Sequence, residues 1–199
     1  MYRAATAQPD HGYLPVARET GPLSPLGNRR VLVLADMENL LLGARDLGLA
    51  LDVRALAVLL NAACVTCDLH AFFSRMPGDQ RLAVQLASAG WTVHPRDIRF
   101  VRTTWGVRRQ ANSDNTILFF AGHLLAETEA DTVVIASGDG DLVVDAARHI
   151  REISPGRCVA TLSLAGSTSG RLDARVNADV SLNLEIGLDC LRAQTGRWP

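Results

Sequence analysis

Lysine is absent from this chain: all 20 basic residues among its 199 are arginine. A Walker-type phosphate loop needs a lysine on the β and γ phosphates, and Schiff-base chemistry needs a lysine amine, so both are excluded. A phosphatase pocket that works through an aspartyl-phosphate is disfavoured for the same reason, and Glu38 stands where its second aspartate would be. The arginine bias itself is read as genomic codon composition rather than selection for function. Long apolar runs are missing too. None approaches the roughly 20 residues needed to cross a bilayer, so a soluble protein is expected. Cysteine is limited to Cys64, Cys67, Cys158 and Cys190. Cys64 and Cys67 form a C-x-x-C, but no second ligand pair follows at zinc-ribbon spacing, and their apolar setting suggests core thiols. The first 28 residues hold no apolar stretch of the secretory-signal kind, so a cytoplasmic location is expected. With a formal charge of −1 the molecule has no strong basic field, and a polyanionic partner would need a local patch.

What is present reads as one α/β domain. The hydrophobic content of 48% suffices for a substantial core over residues 29–199. In front of it, residues 1–28 carry Pro9, Pro15, Pro22 and Pro25 without a periodic apolar face, which predicts a disordered or loosely docked tail. Periodicity and cap residues then predict a strand over 30–35, helices over 37–47 and 52–63, a strand over 68–74, and a helix ending at Gly90. A short strand over 91–94 follows, ended by Pro95, then an irregular basic stretch over 96–109. The remaining expectations are a helix over 113–127, a strand over 132–136, a helix over 141–152 and a strand over 158–163. Loop 165–170 comes next, then a short helix with edge structure over 171–193. Helices of this length between apolar strands require right-handed crossovers, which gives a three-layer α/β/α sandwich with a mainly parallel central sheet.

Three segments pair apolar runs with aspartates: VLVLADMEN at 31–39, NSDNTILFF at 112–120 and VVIASGDGD at 133–141. Val31 to Leu34 and Val133 to Ile135 read as buried central strands, and acids just past such strands stand where open α/β sheets bind ligands. Asp36 follows the first strand, Asp139 follows the fourth, Asp114 opens the long helix between them, and Asp141 is two residues past Asp139. Carboxylates gathered there repel and take up protons unless a cation offsets their charge. Mg²⁺ or Mn²⁺ is the expected cofactor, since Mg²⁺ takes few protein carboxylates and recruits phosphate oxygens. That makes phosphodiester hydrolysis by a metal-activated water the leading chemistry.

The combination of D-x-x-N at Asp36 to Asn39 with SGD-x-D at Ser137 to Asp141 resembles the NYN domain, a family of PIN-like metal-dependent nucleases, over roughly Arg30 to Leu184. The resemblance implies a PIN-like fold and a ribonuclease with Asp36, Asp114 and Asp139 as metal ligands and Asp141 as a further acid. Asn39, three residues after Asp36 on a helical first turn, would hold a metal-bound water or phosphate oxygen. LDARVNADVSLNL resembles the family's closing portion, which places Asp179 near the sheet's end. Many relatives carry lysine-glycine where this chain has Ala111, Asn112 and Ser113, and an acid where it has Phe120. These departures motivate the alternative of a catalytically degenerate module that binds RNA or docks a partner.

Other readings stay open for several residues. Asp114 and Asp141 could simply cap their helices, and Asn39 could bond a local loop carbonyl. Asp36 is harder to explain structurally, because an acid at the end of a buried strand is costly unless paired or liganded. Arg96, Arg99, Arg102, Arg108 and Arg109 surround Trp105, a composition suited to clamping single-stranded or structured RNA by phosphate contacts and base stacking. The other reading is a solvated loop whose tryptophan plugs the core. Arg171, Arg175 and Ser167 to Ser169 could form the opposite wall. His70, His94, His123 and His149 lack metal-ligand spacing and are assigned no chemistry. No membrane partner is expected, and a homodimer sharing a groove is left open by the sequence.

Overall fold

A computed structural model of the chain describes residues 21–104, 106–110, 114–172 and 177–193, without the side chains of Thr103, Arg108, Arg109, Gln110, Asp114 and Arg171. Six strands form one parallel sheet: β1 (Arg30–Asp36), β3 (Thr66–Arg75), β4 (Thr92–Asp97), β7 (Thr132–Ala136), β8 (Cys158–Leu164) and β9 (Leu182–Ile186). Their spatial order is β4-β3-β1-β7-β8-β9. Residues Val31 to Ala35 of β1 and all of β7 are buried, as central strands covered on both faces must be.

Helices α1 (Met37–Asp46), α2 (Val53–Ala63) and α3 (Arg81–Ser88) cover one face of the sheet. Helices α4 (Asp114–Glu127) and α5 (Gly140–Ile153) cover the other. The three-layer sandwich expected from the sequence is therefore what the chain forms. Each helix has local reasons to exist. In α5, Leu142, Val143, Ala146, Ala147 and Ile150 recur on one buried face, and Asp139 caps the start. In α2, the Asp52 carboxylate accepts from the amides of Arg54 and Ala55, both at 3.1 Å, ahead of buried Val53, Leu56, Ala57 and Leu60. Helix α3 ends before Gly90, whose φ of 92° is the left-handed conformation that only glycine adopts cheaply. At the far end of α4, Arg157 donates from Nη2 to the carbonyls of Leu125 (2.8 Å) and Thr128 (3.0 Å), taking up acceptors that the helix leaves free.

Three expectations are corrected. Pro95 does not end its strand: β4 runs through it to Asp97, because β4 is an edge strand and the missing proline N–H costs no ladder bond on the open side. The stretch after it is not irregular. It forms an antiparallel hairpin of β5 (Arg99–Thr103) and β6 (Gly106–Gln110). The third correction concerns residues 21–28, the end of the expected tail. A 3-10 turn at Ser24–Leu26 buries Leu23 and Leu26 in the core beside α1 and α2. Residues 1–20 lie outside the described part. A further small pairing, β2 (Leu49–Leu51) with β10 (Leu191–Ala193), also went unforeseen. Among the described residues no helix is long and apolar enough to cross a membrane.

Candidate functional site

The chain leaves β1 toward β3 on one side and returns as β7 on the other. The helices that follow β1 and β7 depart to opposite faces, and such a switch point leaves a crevice beyond the carboxyl ends of the two strands. Register sets Ala35 beside Ala136, so Asp36 and Ser137 are the first residues past the shared ladder. Asp36 is only 5% exposed, and both its oxygens are engaged: Oδ1 accepts from the Asn39 amide at 3.2 Å and Oδ2 from the Ser137 hydroxyl at 3.4 Å. These bonds offset the desolvation that a buried carboxylate would otherwise suffer.

Ser137 is fully buried and ties two acidic loops together, since its Oγ also accepts from the Asp139 amide at 3.1 Å. Asn39 makes a second tie, its Oδ1 accepting from the Gly138 amide at 2.7 Å. The loop after β8 closes the third side. A Cβ on Gly138 would sit 3.0 Å from the Ser167 carbonyl and 3.2 Å from Asn39 Oδ1, so the site requires glycine there for want of space. Asp139 is exposed, and its Oδ1 accepts from the amides of Asp141 (2.9 Å) and Leu142 (3.4 Å). The cap of α5 is thus Asp139, and Asp141 lies in the first helical turn with an exposed side chain. Two helix amino termini, those of α1 and α5, meet at this crevice, and their partial positive charge steadies the Asp36 and Asp139 carboxylates that cap them.

The structure joins Asp36, Asn39, Asp139 and Asp141 at one end of the sheet, with Asp114 opening α4. The Asp114 side chain lies outside the described part. Among the described residues, no group of three or more His, Cys, Asp or Glu side chains comes together to hold a metal ion. In donor type the crevice suits a hard cation, because every described candidate ligand is an oxygen.

Asn39 commits its carbonyl oxygen to the Gly138 amide, which makes it a clasp between loops. Asp179 is placed otherwise than expected. It precedes β9, whose parallel run puts that residue at the amino end of the sheet. There the Asp179 carboxylate faces Arg148 at 3.9 Å, and its carbonyl accepts from Arg151 at 3.2 Å.

Arg96, on β4, donates to the Thr116 hydroxyl at 2.7 Å and so braces the first turns of α4. Arg99 and Arg102 are both exposed on β5, and their spacing puts them on opposite faces of the hairpin, so they do not share one wall. Arg108 and Arg109 lie in β6 opposite Val101 and Phe100, their side chains outside the described part, as are Trp105 and Arg175. Of the opposite wall, Ser167 packs against Gly138 as described, while Thr168 bonds Ser163 and Glu185, both at 2.6 Å.

Phe120 packs at 4.5 Å between ring centroids on His94, which stacks on Phe72 at 4.5 Å. His70 Nδ1 meets His94 Nε2 at 2.9 Å. No sequence signal marks this pair, 24 residues apart and joined only by the parallel register of β3 and β4. Burial lowers the affinity of both rings for protons, and for His94, with the His70 charge adding to it, the pKa falls to about 4. The C-x-x-C thiols are not joined in a disulfide. Cys64 is buried and donates to the Leu60 carbonyl at 3.1 Å, in keeping with core thiols.

No protein-family model matches the chain, and comparison with curated proteins finds no match. Among solved structures the chain resembles a protein of unknown function from Vibrio parahaemolyticus, with a TM-score of 0.60 and 18% identity over 83% of this chain and 97% of that one. At that identity the likeness concerns the fold.

Proposed function

We propose that this protein is a Mg²⁺- or Mn²⁺-dependent ribonuclease of the NYN type, hydrolysing RNA phosphodiester bonds at the crevice between β1 and β7. The observation that carries the reading is the joining of the Asp36 and Asp139 loops through Ser137 and Asn39. Asp36 and Asp139, with Asp114 and Asp141, would hold the cation. When bound, the cation supplies acidification of a water and offsets charge on the phosphoryl group. The chain's own contribution is placement. Ser137 fixes Asp36 relative to Asp139, Asn39 holds Gly138 against α1, and the two helix termini steady the carboxylates that cap them. Arg96 and the hairpin arginines of one face, on the side of either Arg99 or Arg102, would carry the strand beyond the cleaved bond. The choice of RNA over DNA rests on the family resemblance.

The test is RNA hydrolysis with added Mn²⁺ by the wild type, Asp36→Asn and Asp139→Asn. Asparagine caps helices about as well as aspartate, so both variants should fold normally while losing activity by at least roughly 100-fold. Cleavage by the variants at the wild-type rate would overturn the assignment.

A second reading, a binding module without catalysis, is favoured by Phe120 standing in the aromatic stack where relatives carry an acid. Calorimetric titration with Mn²⁺ separates the two, since this module would show no carboxylate-dependent uptake.

A further inference from the structure

The two histidines between β3 and β4 are used by nothing described so far. We infer that His70 and His94 form an acid-sensitive latch holding α4 against the sheet. Register places His94 beside Phe72 and diagonal to His70, with the two imidazoles stacked at 5.2 Å and 14° between planes. From the other layer, Phe120 of α4 leans on His94 at 52° and on Phe72 at 5.8 Å. One turn earlier, Thr116 receives Arg96 of β4. The amino-terminal half of α4 therefore bears on β4 through the Arg96–Thr116 bond and through the His94 ring, which stacks on Phe72 and is oriented by its nitrogen contact with His70.

Proton accounting determines what that contact tolerates. With both rings neutral, one N–H lies between Nδ1 of His70 and Nε2 of His94, and the other nitrogen accepts it. One added proton goes to an outer nitrogen and leaves that bond in place, as imidazolium donating to imidazole. A second added proton sets N–H against N–H and two positive charges at 2.9 Å, an arrangement that cannot persist. The rings must then part, and Phe120 loses its seat.

The charged surroundings differ on the two sides. His70 lines a cavity of about 330 Å³ with Asp68 of β3 and Glu127 and Glu129 at the end of α4, while β1 contributes only Leu32. Near His94 the charged neighbour on its own strand is Arg96, and the titratable neighbour in contact is His70. His123 of α4 pairs outward with Glu127 at 3.4 Å. The first proton is thus drawn to the acidic side at His70, whereas burial holds His94 neutral until about pH 4. In the unfolded chain a histidine takes its proton near pH 6.5. Stability from the neutral His94 is complete above that value and is lost as the pH falls from 6.5 toward 4. Because α4 begins at Asp114, the latch would also govern that carboxylate; this catalytic consequence rests on the ribonuclease reading, and the latch itself does not.

Hydrogen exchange of the full chain, followed by mass spectrometry and corrected for intrinsic rates, tests the latch without reference to activity. Between pH 6.5 and 4, protection across 114–127 should fall at least roughly tenfold while β1 and β7 keep theirs. His94→Phe retains a ring on Phe72 and Phe120 but cannot titrate, and should keep α4 protected throughout. Unchanged protection in the wild type, or an equal fall in His94→Phe, would overturn the proposal. Should that variant not fold, imidazole ¹⁵N shifts of the wild type decide the matter. Both rings becoming charged as α4 loosens supports the latch, and α4 loosening while both rings are neutral, or staying closed while both are charged, refutes it.

Discussion

Replacing Gly138 by alanine isolates the crevice's packing from its chemistry. The added methyl meets the Ser167 carbonyl at 3.0 Å and Asn39 Oδ1 at 3.2 Å, both closer than an ordinary contact. Gly138 is not among the glycines with positive φ, so the backbone can accept alanine and the cost is one of space. Displacing the Ser167 backbone costs roughly 1–3 kcal/mol, as overpacking does. Pushing away the Asn39 amide breaks its bond to the Gly138 N–H, and leaving that donor unpaired costs about 1–3 kcal/mol more. The contacts are shared, so the sum is taken as about 3 kcal/mol, equivalent to a melting temperature lower by roughly 6–12 °C for a domain of this size. Urea and thermal unfolding measure it. Gly48→Ala is the control: φ there is 74° with nothing within 4 Å of the new methyl, and only the left-handed backbone penalty of about 1–2 kcal/mol applies. If Gly138→Ala unfolds within about 0.5 kcal/mol of the wild type, outside the usual cost of overpacking, the three-loop closure described above is wrong.

Two other outcomes follow from burial. Leu26→Ala, at a fully buried side chain in the turn ahead of β1, should destabilise the domain by roughly 2–5 kcal/mol, measured by urea unfolding; a loss below about 0.5 kcal/mol would mean that this segment does not belong to the core. A hydrogen bond that the Cys67 thiol donates to Cys64, with burial, holds Cys67 far above its ordinary range, and burial raises Cys190 to about 11. Native Cys190 should accordingly react with iodoacetamide at pH 8 on the order of 100-fold more slowly than a free thiol, and Cys67 more slowly still, as peptide mass spectrometry would register; rapid labelling of either would contradict this.

The sheet was legible because β1, β7 and β8 are largely apolar runs set between helix caps, and burial on both faces admits only hydroxyls that find a partner, as those of Thr132, Thr161 and Ser163 do. The hairpin was not legible because none of its described side chains is buried: Phe100, Val101 and Val107 are exposed among arginines, so no alternation marks them. Pro95 misled for a related reason, since a proline is disruptive in a central strand and harmless on an edge. At the crevice, Asp36 and Asp139 stood out as acids at or just past the ends of buried strands, where helices start. What Asn39 and Ser137 do could not be read, because their partners lie 99 and 101 residues away and are set by the β1–β7 register. The histidine pair escaped for the same reason.

Arg157 fastens the last turn of α4 to the start of β8, which makes the helix a lever with its fulcrum at the carboxyl end. Its 14 residues give an arm of about 21 Å. A tilt of about 10° about that fulcrum swings the first turn by roughly 3.5 Å on such an arm, more than the whole length of a Mg²⁺–oxygen bond. Small motions of this helix are therefore amplified where Asp114 begins it, and damped where Arg157 holds it.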